Sequence, residues 1–201
     1  MTRKTPPKQA SKKIASAKAA KPARADLPIE IDARALPPLG MTPERFLRDY
    51  WQKRPLLIRN AFPDFQTPVQ PEDLAGLACE ETAVSRIVMH DRANDRWTLR
   101  HGPFDEDEFP GMPHQDWTLL VQDVDKWDPD IAALLEHFRF LPRWRIDDVM
   151  ISFAAPGGSV GAHVDQYDVF LLQAYGHPRW QIDAGPNPPL DFRPDVELKL
   201  L

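Results

Sequence analysis

Cysteine is nearly absent: Cys79 is the only one in 201 residues. No disulfide can close within the chain, and the composition fits a reducing cytoplasm. No run of about 20 apolar residues occurs, and no secretory leader pattern, so a soluble protein is expected and not a membrane-bound one. The sequence shows no glycine loop of the phosphate-cradling kind, no Ser-His-Asp arrangement and no cysteine/histidine spacing suited to zinc. It also shows no internal repeat. Acidic residues are missing from positions 1–25, which hold eight Lys/Arg.

That last absence divides the chain. Beyond the basic arm, 17 basic side chains face 30 acidic ones, so the overall charge of −5 hides a strongly acidic body. Residues 1–25 are rich in Ala, Lys, Pro and Ser and cannot build a core. Two readings of the arm stand side by side: a disordered, solvated tail, and a weak contact to RNA or another polyanion through phosphate neutralisation. Residues 26–40 read as a proline-spaced extended lead-in, and 41–201 as one domain. With 22 prolines, long loops are expected.

Within the domain, Thr42-Pro43 offers an N-cap and a first-turn proline ahead of Phe46, Leu47, Tyr50 and Trp51 at helical spacing. Leu56–Arg59 reads as a strand, Pro71–Glu81 as a helix, and Val84–Met89 with Arg96–Arg100 as a hairpin. Leu119–Val124 reads as a strand, and Asp128-Pro129 opens a further helix. From Arg145 the pattern turns to strands: Ile146–Ala154, His163–Gln173, Arg179–Asp183 and Val196–Leu201. The expected class is α+β, a mixed front half leading into an antiparallel sheet or barrel. The six tryptophans are expected in cores or interfaces, Cys79 in a structural role, and Asp105–Glu108 as a solvated acidic loop.

The chemistry concentrates after the turn Pro156–Gly161, where His163-Val-Asp165 opens an apolar run. Residues i and i+2 of a strand share a face about 6.5–7 Å apart, so an imidazole and a carboxylate can meet on one cation. That pair is two-thirds of the 2-His-1-carboxylate triad that holds Fe(II). A second His-x-Asp, His114/Asp116, lies in an irregular acidic stretch where no alternation is enforced. Only His177 follows the first pair, and it reads as a turn residue between Gly176 and Pro178. A surface hydrogen-bonded pair is the other reading of His163 and Asp165.

Several motifs together resemble the bacterial ribosomal oxygenases, the YcfD-like members of the JmjC/cupin group. They are Trp51–Leu56, His101–Phe104, Trp117–Gln122, Trp144–Phe153, the Pro156-Gly-Gly turn, His163–Phe170 and Gly176…Arg179-Trp180. The resemblance covers roughly residues 41–200 and implies a double-stranded β-helix, the cupin/JmjC jelly roll. It implies an Fe(II)- and 2-oxoglutarate-dependent dioxygenase that hydroxylates an arginine of a large-subunit ribosomal protein. It makes His163 and Asp165 iron ligands and Ser152 a contact of 2-oxoglutarate. Asp147 and Asp148 become candidates to receive a substrate guanidinium, with loop hydrogen bonding as their other reading.

Two departures from that family stand out. Its distal histidine ligand would fall past Leu201, so the chain reads as a truncated member with an incomplete barrel. An inactive remnant or binding module is then the alternative function. The family's cation for the distal carboxylate of 2-oxoglutarate falls on Pro178, which leaves the neighbouring Arg179 as the candidate anchor. Full-length members are expected to form homodimers, this fragment not.

Overall fold

A computed structural model describes residues 27–183, 185 and 191–201; the basic arm of residues 1–25 lies outside them. Helix α1, Pro43–Asp49, starts where Thr42 accepts from the Arg45 amide and Pro43 occupies the first turn, as expected. Phe46 and Tyr50 from its inner side are buried, and the Tyr50 hydroxyl donates to the Pro28 carbonyl at 3.0 Å. With Leu39 and Met41 they form one apolar cluster, flanked by Trp51, Phe140 and Phe170. Beside it the lead-in forms a short strand, β1 (Glu30–Asp32), parallel to β2 (Leu57–Arg59).

The main sheet carries the second and larger core. Its strands are β3 (Ser85–Asp91), β4 (Arg96–His101), β5 (Trp117–Val121) and β6 (Ile151–Ala154), in the order β4-β3-β5-β6, all antiparallel. Strand alternation sorts the faces. Ile87 and Met89, Trp117, Leu119 and Val121, and Ile151 and Phe153 pack on one side, against Leu74 and Ala78 of helix α2 (Pro71–Cys79). The opposite side presents Arg86, Val88, Leu120 and Ser152. Helix α3 (Pro129–Leu134) begins where one oxygen of Asp128 accepts from the amides of Asp130 and Ile131. It tightens into a 3-10 turn at Leu135–Phe138.

The back half departs from its expected strands. Ile146–Ala154 is a strand only from Ile151, because the preceding backbone bonds elsewhere. Val149 N–H donates to the Asp125 carboxylate, the Val149 carbonyl accepts from Val124, and Asp148 accepts from the Asp123 amide at 2.9 Å. His163–Gln173, Arg179–Asp183 and Val196–Leu201 form no strands among the described residues. Their one ladder contact is an isolated antiparallel bridge between His163 and Leu200, backed by Leu201 N–H donating to the Ala162 carbonyl. Apolar alternation specifies a strand only where a neighbour supplies donors and acceptors, and here no described strand does. Leu171, Tyr175, Trp180 and Ile182 are left exposed. Of the tryptophans, Trp117 is in the core, but Trp144 is 84% exposed, and Trp127 and Trp180 are exposed too, against expectation.

Candidate metal centre

The turn that delivers the His-x-Asp pair follows from its sequence. Pro156 and Gly157 occupy the two central positions, Gly157 at φ +74°, and Gly158 N–H returns to the Ala155 carbonyl at 2.7 Å. Proline then glycine is what a type II turn requires. Gly161 is needed for a different reason: at φ +76°, a Cβ there would sit 2.5 Å from the Leu200 side chain. The chain therefore passes close beneath Leu200 and places residues 160–165 over the second face of the sheet.

Between these layers lies a cavity of about 200 Å³. It is below the roughly 300 Å³ at which pockets for drug-sized ligands begin, and so suits something small. Val88, Leu120, Val160, Val164, Leu198 and Leu200 give it apolar walls, and His163, Asp165, Arg86 and Lys199 are its polar lining.

The pair is arranged as two ligands would be. The Nδ1 of His163 lies 2.9 Å from the Gly161 carbonyl, which can only accept, so Nδ1 carries the proton. In the neutral ring Nε2 then holds the lone pair, and it points to Oδ2 of Asp165 at 3.7 Å. A backbone carbonyl fixing the tautomer of a ligating imidazole is the usual support for a metal site. Two donors each about 2.1 Å from a shared cation lie roughly 3.0–3.4 Å apart at octahedral to tetrahedral angles. The donor types suit a divalent ion, and the pair at 3.7 Å would close by a few tenths of an ångström to share one. Among the described residues no third His, Cys, Asp or Glu completes a cluster.

The segment is also tethered beyond the pair. Asp168 accepts from the Gln52 side chain at 3.0 Å, and Phe170 stacks on Trp51 with ring centroids 5.3 Å apart. Phe170 further meets Phe138 and Phe46, so the first cluster holds the far end of the ligand-bearing stretch.

The other candidates are placed less closely. Ser152 lies on β6 in the same cross-strand row as Leu120 and Arg86, but it is exposed and is not part of the cavity lining. Asp147 is exposed, while Asp148 is half-buried and spends one oxygen on the Asp123 amide. Arg179 is exposed and is not part of the cavity lining, and His177 is exposed beside Gly176. The second His-x-Asp is not a site: Asp116 is bound by Arg92 at 2.6 Å. Asp105–Glu108 is a capped 3-10 turn with Glu108 paired to Arg100. Burial, followed by the nearby carboxylates of Glu106 and Asp105, pushes the Cys79 thiol up, and its Sγ bonds the Ala75 carbonyl. A thiol raised in this way is a poor nucleophile, since the thiolate is the reactive form. Arg86 is the lining residue that sequence reasoning passed over. Its signal was a lone guanidinium inside the apolar strand Ser85-Arg-Ile-Val-Met89.

Residues 133–201 match the JmjC domain family. A Haemophilus influenzae protein named "Probable ribosomal oxygenase" is 42% identical over 163 residues, 81% of this chain and 40% of that one. The ribosomal protein uL16 3-hydroxylase of Escherichia coli is 48% identical over 137 residues, 68% of this chain and 36% of the relative. The solved structure of YcfD, a ribosomal oxygenase from Escherichia coli, in complex with cobalt and 2-oxoglutarate, matches at TM-score 0.59 and 46% identity. That match covers 63% of this chain and 34% of the other. The chain spans about two fifths of the length of the curated relatives it matches.

Proposed function

We propose that this chain, a relative of the JmjC-type ribosomal oxygenases, carries the iron-binding half of a 2-oxoglutarate-dependent dioxygenase that hydroxylates an arginine of a large-subunit ribosomal protein. The observation that carries the reading is the geometry of His163 and Asp165 on the cavity wall, with the Gly161 carbonyl holding Nε2 free for a metal. Iron(II) bound there, together with 2-oxoglutarate and oxygen, would supply the oxidising chemistry for a C–H bond.

The chain's own groups have separate tasks. Nε2 of His163 and Oδ2 of Asp165 hold the ion on one side. The hydroxyl of Ser152, in the row shared with Arg86 and Leu120, contacts 2-oxoglutarate. Val88, Leu120 and Val164 give the inner side of the cavity apolar walls, while His163 and Asp165 stand at its solvent-exposed mouth, 38% and 44% exposed. Asp147, exposed at the approach to β6, offers a carboxylate to a substrate guanidinium, and the second oxygen of Asp148 can join it. A complete triad needs one more protein donor, so the pair alone holds metal weakly. Loss of even a supporting partner of a ligand costs about 10–100-fold in metal affinity, and a missing ligand costs more.

The test is incubation of the chain with ribosomal protein uL16, Fe(II), 2-oxoglutarate and oxygen, followed by mass spectrometry of the product peptides. A gain of about 16 Da on an arginine, absent when 2-oxoglutarate is withheld and absent in Asp165→Ala, supports the reading. An unmodified product under conditions where metal and 2-oxoglutarate are shown to bind contradicts it.

A further inference from the structure

We infer that Arg86 supplies the cation that holds the distal carboxylate of a five-carbon 2-oxo diacid in the cavity behind His163 and Asp165. The inference rests on the proposed function and assigns a role that the position of Pro178 leaves open.

A 2-oxo diacid chelating a metal through its keto-acid end still carries a second carboxylate. Held unpaired against the apolar walls of the cavity, that charge would carry a desolvation cost. The cavity must therefore own a cation, and its lining contains two, Arg86 and Lys199. Arg179 is exposed and outside the lining, and proline at 178 has no charge to offer.

Arg86 is the better placed of the two. It stands on β3, an inner strand paired on both sides, with His101 across one ladder and Leu120 across the other. Lys199 is exposed, on a stretch outside the sheet held by the bridge at Leu200, the Leu201–Ala162 bond and the Arg193–Asp95 pair. The Arg86 side chain is half-buried, and among the described residues it meets no carboxylate. Its nearest recorded partner is the Met150 thioether at 3.9 Å, a weak acceptor. A half-buried guanidinium beside a cavity, with a thioether as its neighbour, has its donors open to an anion.

The spacing also fits. Arg86, Leu120 and Ser152 form one cross-strand row, so the backbones of Arg86 and Ser152 lie two ladder spacings, about 10 Å, apart. The guanidinium reaches across that row to Met150, just before β6, so a carboxylate held by it would lie on the same face of the sheet, beside the cavity that His163 and Asp165 line. Arginine suits the task because its planar fork takes both oxygens of a carboxylate.

The experiment is calorimetric titration of the full chain, saturated with Mn(II), with 2-oxoglutarate and separately with pyruvate, a 2-oxo acid without the second carboxylate. Arg86→Gln should weaken 2-oxoglutarate about 10- to 100-fold, the size of a lost charge-assisted pair, and leave pyruvate within twofold. Arg86→Lys should recover part of the loss, and Arg179→Gln should change nothing. Unaltered 2-oxoglutarate binding in Arg86→Gln overturns the inference, as does equal weakening of both acids in Arg86→Gln and Arg86→Lys. A loss confined to Lys199→Gln overturns it in favour of the lysine. If the Mn(II)-loaded parent binds no 2-oxoglutarate at all, the proposed function falls with it; if the parent binds and Arg86→Gln binds equally, only the inference falls.

Discussion

Residues 85–154 and the described residues of 155–201 are both rich in apolar side chains, yet the first stretch hides most of them and the second few. In the four-stranded sheet, every inward position finds a facing residue from a neighbouring strand or from α2, and β5 is buried at all five positions. In the second stretch Tyr175 is 84% exposed and Leu171 60%, and order comes from point tethers that include the bridge at Leu200, the Gln52–Asp168 bond, the Phe170 stack and the Arg193–Asp95 pair. The ligand pair belongs to the second stretch but lies against the first. The placement of His163 and Asp165 is therefore set by a sheet floor and a sparsely held cover. Segments with few buried contacts open at low free-energy cost.

The sharpest way to break this contrast is to truncate one residue in each region. Ile87→Ala, in the sheet core, should cost about 2–5 kcal/mol in urea unfolding, the range for a buried large-to-small change. Leu171→Ala should stay within about 0.5 kcal/mol, as exposed substitutions do. Comparable losses would show that the second stretch packs in solution as tightly as the sheet.

A smaller effect is expected at the tether. Phe170→Ala removes a partly covered ring from the first cluster and should cost about 1–3 kcal/mol, less than the roughly 3–5 of a fully buried phenylalanine. The more telling readout is amide hydrogen exchange. Residues 163–170 should exchange faster while β3 and β5 keep their protection. Uniform acceleration across the sheet would mean that the two regions open as one.

The smallest effect concerns a second link between the regions. Hydrogen bonds from His90, and then from Arg193, hold the Asp95 carboxyl below its ordinary value. A carboxylate depressed in the folded state adds stability above its unfolded pKa, about 3.9, and loses it as pH falls through the folded value. Asp95→Asn should therefore leave stability unchanged below that window and lower it slightly above. An acid-unfolding curve identical to the parent's at every pH would remove Asp95 as a tie to Arg193.

Much of the front half could be read directly. Thr42-Pro43, Asp128-Pro129 and the hairpin around Asp91–Asp95 carry their own caps and turn residues, and local signals of that kind survive without tertiary help. The lead-in strand at Glu30–Asp32 was missed because three residues carry no period, and a parallel partner 27 positions away cannot be heard locally. The strands expected at His163–Gln173 and Arg179–Asp183 failed for the converse reason, a clear pattern without a described partner. At the site, the His163/Asp165 pair was legible from spacing and from the glycine turn before it. Arg86 was not, because its meaning arises only when β3 and residues 160–165 are brought face to face.

The central claim is that His163 and Asp165 jointly hold a divalent ion, and titration of the full chain with Co(II), followed by visible absorption, tests it most directly. Saturable binding of one cobalt, reduced at least tenfold by His163→Ala and by Asp165→Ala alike, is the predicted result. Binding that survives both substitutions unchanged would contradict it.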